Sequence, residues 1–517
     1  MRCTTGHGDF NMNQSTITVY SPTTGEPIGE VSVDSVEDVD RAAAAAREAQ
    51  QEWASRSLDD RCAVLQNVKN ELLNRTDDVC ALLSKEQGKP KMEALVHDVM
   101  NLAGFIDYFA SNAARILAPE PIPLHLFKHR ASYLHWTPRG LIGVIGPWNF
   151  PLMLCNAPAV TALIAGNGVL IKPSEFTPLI QDLARDIFIA GGVPEDLFQV
   201  VHGHAETGTA VIDRVDMIEF TGSVATGRRV AARCGERLIP CVAELGGKAP
   251  ALVLDDADLE RTAAALTWGG FANCGQVCAS VERVLVHRSV LPQLLDKLTP
   301  RVRALLPQSA PQGAEIQMGP INNRRQLDHV ERVVADAVAK GANVILGGNR
   351  IEGAGTFFEP TLLLDATPEM DVMNVETFGP VLPFMVFDDD DAMIAEANRI
   401  DLGLAAYVFS SNAVRAQAVA ERIEAGTVMI NDVLATHGMP ETPWGGVKAS
   451  SIGHTHGDDS LRHMCQQRHV NYGRVNLLKN EPLWYPYTAK RQTWIRRLLS
   501  FLLGTGIRNR IRWLMGR

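Results

Sequence analysis

The chain has 517 residues, 46% hydrophobic and 21% charged, a balance that excludes a disordered or fibrous protein and leaves room for two or three domains with cores of their own. Its net charge of −10 is unevenly spread: from residue 488 onward stand Lys490, Arg491, Arg496, Arg497, Arg508, Arg510, Arg512 and Arg517 with no acidic side chain, so the preceding body carries −18. An acidic body argues against nucleic acid as a partner, and the basic tail is a separate electrostatic unit.

In chain order, "YSPTTGEPIGEVSV" sets turn residues between short β-prone runs, and "SVEDVDRAAAAAREAQQEWA" reads as a helix with Ser35 as N-cap and acids in its first turn. Helical pattern continues to about residue 115, then the Pro-rich connector "APEPIPL" follows. From 140 to 255, short β-branched runs ("GLIGVIG", "GVLIKP", "FQVVHG", "MIEFTGS", "APALVLDDA") alternate with helical segments. Continuous apolar strands between helices are what a parallel sheet covered on both faces requires, so the region reads as a doubly wound nucleotide-type domain. A second α/β region carries "RVLVHRS", the helical "RQLDHVERVVADAVAKG", "ANVILGG", "LPFMVFDD" and "GTVMIND". The last segment, "TWIRRLLSFLLGTGIRNRIRWLMGR", has ten uncharged residues at 498–507, where a spanning helix needs about twenty. Its arginines interleave with Trp494, Leu498, Phe501, Leu502, Ile511 and Trp513, which suits either a helix docked on protein or one lying in a membrane interface.

Nine cysteines, odd in number and without a CxxC pair, suggest neither a disulfide framework nor a zinc module. The start "MRCTTGHGDFNMNQ" lacks the apolar run of a secretory signal, and together these features point to a reducing, cytoplasmic setting. The histidine pairs His202/His204 and His454/His456 have no Cys or carboxylate at ligand spacing and read as solvated loop residues, so no metal is assigned. The stretch "FANCGQVCAS" at 271–280 holds Cys274 and Cys278, and on its own allows a disulfide, a metal clip, a nucleophile or two inert thiols.

Six blocks occur in order: "GPWNFP" (146–151), "IKPSEFTP" (171–178), "FTGSVATG" (220–227), "ELGGKAP" (244–250), "GQVCAS" (275–280) and "ETFGPVLP" (376–383). In this order and spacing they resemble the NAD(P)-dependent aldehyde dehydrogenase superfamily over about residues 15–475. The resemblance implies an α/β fold with a Rossmann-type cofactor domain (1–119 and 139–246), an α/β catalytic domain (247–460) and a small bridging β element for oligomerisation (120–138 and 461–480), followed by the basic tail 488–517. It implies Cys278 as nucleophile, Glu244 as general base and Asn149 as oxyanion donor beside the Cys278 backbone N–H, although Asn149 taken alone also suits a cap for a helix starting after Pro151. A thiolate here needs a base or positive potential nearby.

For the cofactor, the resemblance implies Trp148, Lys172, Ser174, Glu175, Leu245, Gly246, Glu376 and Phe378. Gly222, Ser223 and Gly227 are expected to offer backbone N–H groups and a helix start to a pyrophosphate. Glu175 favours NAD, with NADP as a second cofactor, because a carboxylate accepts ribose hydroxyls and repels a 2′-phosphate. The substrate tunnel is expected at Phe150, Leu154, Ala157, Ala272, Val277 and Trp444. Small residues at 157 and 272, where relatives acting on short aldehydes often carry aromatic rings, imply a wide apolar pocket for a medium or long aliphatic, aromatic or terpenoid aldehyde. The rival readings are a semialdehyde dehydrogenase and a non-catalytic family member. A homodimer or homotetramer and peripheral membrane contact through the tail are the expected associations.

Overall fold

The apolar runs of the sequence become buried strands of two largely parallel sheets. The computed structural model describes residues 15–306, 316–474, 480–481 and 483–507. The expectations for the first fourteen residues and for Arg508, Arg510, Ile511, Arg512, Trp513 and Arg517 lie outside that range. The described residues fall into two compact units, one within Met1–Ile116 and Pro138–Gln466, the other within Leu117–Thr137 and Gln467–Arg517.

In the first unit, a six-stranded sheet runs in the order Ser451–Ile452, Cys241–Glu244, Met217–Thr221, Leu141–Ile145, Gly168–Lys172, Phe198–Val200. All pairs are parallel except that of Ser451–Ile452, which returns to the edge antiparallel to Cys241–Glu244. The strand order reverses between Leu141–Ile145 and Met217–Thr221, and ligands of open α/β sheets bind beyond the strand ends at such a switch. Here those ends lead directly into "GPWNFP" and "GSVATG".

The second sheet has seven strands in the order Asn343–Leu346, Thr361–Leu364, Val381–Phe387, Val281–His287, Ala249–Val253, Ala405–Phe409, Thr427–Ile430. Only its first pair is antiparallel. Ala249–Val253, which the sequence pattern groups with the earlier strands, belongs to this sheet. Every residue of that strand is buried, as a strand covered on both faces demands.

The helix expected after Ser35 spans Val36–Ser55 and starts in a capping box, with the Ser35 and Asp38 side chains and amides bonded reciprocally. Helices continue to Ile116, interrupted at Ala94–Met100 by a π-helical stretch that the sequence did not announce. The helix Pro151–Ala165 opens with proline, is almost wholly buried and ends on left-handed Gly166.

The second unit holds a three-stranded sheet in the order Cys465–Gly473, Arg130–Pro138, Glu120–Pro121. Its tail forms the helix Ala489–Leu503, capped by the Thr488 hydroxyl, with no buried residue. No described helix is long and apolar enough to cross a membrane.

Candidate active site

The helix Leu259–Phe271 ends in a turn in which Asn273, Cys274 and Gly275 all take positive φ (51°, 59° and 70°). Left-handed conformations at non-glycine residues cost about 1–3 kcal/mol each and persist only where surroundings over-determine them. Asn273 supplies that determination. Its amide donates to both Glu93 oxygens at 3.1 Å, and its side chain donates to the carbonyls of Asn149 (3.1 Å) and Gln276 (3.2 Å). Glycine is required at 275, where a Cβ would stand 2.2 Å from the Gly379 carbonyl oxygen. The turn buries Cys274 and leaves Cys278 half-buried at its end.

Burial pushes the Cys278 thiol up to about 12, the Glu376 and Glu244 charges push the same way, and the Ala279 and Cys278 amides oppose them. The local positive potential expected for a thiolate is therefore limited to backbone N–H groups.

Asn149 does not cap the following helix, whose N-cap is Phe150 without a side-chain bond. Its Nδ2 instead donates to the Gln276 carbonyl at 3.0 Å, which uses one of two amide hydrogens and leaves the other free for a ligand. The Asn149 carbonyl accepts from Gln87 (3.0 Å), Lys89 (3.0 Å) and Asn273. Lys89 in turn is ion-paired with Asp98 at 2.9 Å, both fully buried, and Asp98 lies in the π-helical stretch. Gln276 completes the set, bonding the Asn273 carbonyl (2.8 Å) and the Asn322 amide (2.8 Å).

Glu244 ends its strand with its carbonyl accepting from the Gly222 amide at 3.0 Å. Neither carboxylate oxygen has a hydrogen-bond partner among the described residues, although both are buried. Burial first, and the Glu219 charge second, raise its pKa well above the usual carboxylate range. The glycines that follow serve close approach: a Cβ at Gly246 would stand 2.5 Å from the Glu376 carboxylate, and one at Gly247 2.5 Å from the Cys278 carbonyl oxygen.

Glu244 and Cys278 line one cavity together with Leu154, Ala157 and Trp444. Three expected tunnel residues are not among its lining. Phe150 turns to Lys89, whose ammonium sits 4.5 Å from its ring centre, and to the His97 ring at 5.5 Å. Ala272 is buried in the strained turn, and Val277 is buried beside Cys278. Glu219, His437 and His456 are in the lining instead. The solvated reading of His456 is wrong: it is buried, packs on Phe105 and His437 with ring centres 5.2 Å apart in each case, and desolvation holds its pKa far down. His202 is likewise half-buried and pairs with Asp182 at 2.8 Å, while His454 is exposed. Among the described residues no cluster of three or more His, Cys, Asp or Glu suits a metal.

At the cofactor side, two expectations need correction. The Gly222 amide is bonded to the Glu244 carbonyl and the Gly227 amide to the Ser223 carbonyl (2.8 Å), so neither faces a ligand. Gly227 is small because Leu245 would lie 2.3 Å from its Cβ. The donors left are the first amides of the helix Val224–Arg237, which Ser223 caps through Thr226.

Lys172 is buried, donates to the Pro173 carbonyl (2.8 Å) and stands 4.0 Å from the half-buried Glu175, with Ser174 beside it. Glu376 accepts from the Gly247 amide at 3.0 Å, and burial lifts its pKa to about 8. The Trp148 and Phe378 rings meet edge-on at 5.3 Å. A helix start, a carboxylate beside a buried ammonium, a second carboxylate and a pair of aromatic rings form a set of groups that fits a dinucleotide.

Residues 10–470 match the model of the aldehyde dehydrogenase family. The chain belongs to that family. As an aldehyde dehydrogenase it is 35% identical, over 95% of its length and 92% of the relative's, to a 4,4'-diapolycopene aldehyde oxidase from Methylomonas sp. It is 36% identical, over 87% of its length and 88% of the relative's, to a protein named "Putative succinate-semialdehyde dehydrogenase", of the NADP(+) type, from Mycolicibacterium smegmatis. Among solved structures, a Mycobacterium tuberculosis aldehyde dehydrogenase complexed with NAD+ superposes with a TM-score of 0.84 at 34% identity, covering 89% of this chain and 95% of that one.

Proposed function

We propose that this aldehyde dehydrogenase oxidises a bulky, lipophilic aldehyde to the carboxylic acid with NAD, through a cysteine-bound thioester. The observation that carries the reading is that Cys278 and Glu244 line one largely apolar cavity, with Asn149 anchored to the same loop. A bound nicotinamide dinucleotide supplies the hydride acceptor. Lys172, Ser174, Glu175, Ser223 with its helix start, Leu245, Gly246, Glu376, Phe378 and Trp148 would hold it. Glu175 favours an unphosphorylated ribose.

The Cys278 thiol releases its proton to water, its sulfur adds to the aldehyde carbonyl, and the free Asn149 N–H with the Cys278 amide stabilises the oxyanion. Collapse of that adduct expels hydride and leaves a thioester. Glu244, without a bonding partner to hold its oxygens, takes a proton from water as that water attacks the thioester carbonyl, and the cysteine sulfur departs.

Leu154, Ala157 and Trp444 supply an apolar wall, and neither Lys nor Arg occurs in the cavity lining to bind a substrate carboxylate. That favours a lipophilic chain, the chemistry in the name of the polyene aldehyde relative, over a semialdehyde. The tail supports delivery of such substrates from membranes. On its helix Trp494, Leu498, Phe501 and Leu502 share one arc, and Thr493, Arg496, Arg497 and Ser500 the other. The exposed edge strand Cys465–Gly473 suits pairing with a second copy, in a homodimer or homotetramer. With its eight described cysteines free, the protein suits a cytoplasmic setting.

A panel of aldehydes varied in chain length and aromaticity, run with NAD and NADP and with liposomes present or absent, tests the reading. kcat/KM should rise with chain length and be higher with NAD. Succinic semialdehyde as the best substrate would overturn it.

A further inference from the structure

Glu219 is a carboxyl that the mechanism above does not use. It sits in the middle of the strand Met217–Thr221, between Ile218 and Phe220, which are fully buried, and is itself only 5% exposed. In the parallel ladder Glu219 lies opposite Val242 and Thr221 opposite Glu244, so the two glutamates are offset by two residues on neighbouring strands. Strands are spaced about 4.8 Å apart and two residues advance about 6.6 Å on the same face, a separation that two extended side chains, or one water between them, can close.

Both carboxyls line the cavity that holds Cys278. The other titratable groups facing that cavity are the Cys278 thiol and His437 and His456, whose imidazoles burial keeps neutral, while Cys241 lies across the ladder. No cation lines the cavity to balance two negative charges in it. Desolvation accordingly pushes Glu219 up to about 8 and Glu244 well up, each state favouring a retained proton.

We propose that Glu219 is the proton-holding partner of Glu244: the pair loses one proton to reach its working state, and the two carboxyls share the proton that remains. The proposal rests on Glu244 being the base for thioester hydrolysis. In that step a water O–H bond breaks, its oxygen bonds to the thioester carbonyl, its proton passes to the Glu244 carboxylate, and the C–S bond then breaks. The pair is left doubly protonated and neutral, and loss of one proton resets it. Glu219 acts through Glu244, as a positioning residue, by keeping one proton in the pair while the other turns over.

The test compares the NADH burst and the steady-state rate from pH 5 to 10 for the native protein and for Glu219→Gln, Glu219→Asp and Glu244→Gln, with decanal and NAD as probes. The native steady-state rate should rise through the first carboxyl ionisation, which frees the base, and fall through the second, which removes the shared proton. Glu219→Gln should keep the burst, lower steady-state turnover about tenfold, the equivalent of one pKa unit at the base, and show one ionisation. Glu219→Asp should restore the second. A Glu219→Gln profile superimposable on the native one, or loss of the burst in both Glu219 variants, overturns the proposal. Full turnover in Glu244→Gln instead overturns the base assignment beneath it.

Discussion

The two sides of Cys278 are built on opposite principles. On the Asn149 side Asn149, Asn273, Gln276, Gln87, Lys89 and Asp98 are linked by hydrogen bonds, with the Gln87 side-chain oxygen and one Asn149 N–H left over. On the Glu244 side a carboxylate stands buried without a partner, beside a second buried carboxyl, in a mostly apolar cavity. The difference fits the work that the proposed mechanism gives each side. An oxyanion donor helps only if it is already aimed before charge develops, which favours an anchored network. A base must gain and lose a proton, and a carboxylate fixed by several donors would hold its charge too firmly to do so.

Breaking the anchored side should have the larger effect. Asn149→Ala removes one donor and should slow the first hydride transfer by about 10²–10³-fold with little change in fold, measured as the rate of the NADH burst. Narrowing the cavity comes next. Ala157→Phe should lower kcat/KM for decanal by about 10–200-fold and spare a short aldehyde, since one apolar wall position discriminates on that scale.

A third effect sharpens the contrast through stability rather than rate. Burial raises Glu219 from 4.5 to about 8, so its contribution to stability is fully present below about pH 4.5 and lost as pH rises through about 8. Glu219→Gln has no such loss. Its melting temperature should match the native one at pH 4.5 and exceed it at pH 9, by an amount of the order of a few kcal/mol in free energy.

What the sequence made legible was local. Ser35 and its capping box, the strand-to-helix turn after Thr221, and the glycines around Glu244 can be read from a few adjacent residues, because caps and close approaches are short-range devices. Tunnel lining is not local. Phe150 and Leu154 begin the same buried segment, yet one faces Lys89 and the other the cavity, and only the packed helix decides which. Gly222 and Gly227 look alike as phosphate-loop glycines, but a ladder bond and a helix bond occupy their amides. Gln87, Lys89, Glu93 and Asp98 reach the site from far along the chain without a local signature. Glu219 did leave a mark, a charged residue in the middle of the apolar run "MIEFT", where a strand buried on both faces has no ordinary use for one.

Under the proposed mechanism the acyl group forms on Cys278, and not on Cys274, before Glu244 releases it. Glu244→Gln, mixed with decanal and NAD, denatured in acid and digested, should yield one acylated peptide with the decanoyl mass on Cys278, absent when NAD is omitted. An unmodified Cys278, or the acyl group on Cys274, would contradict it.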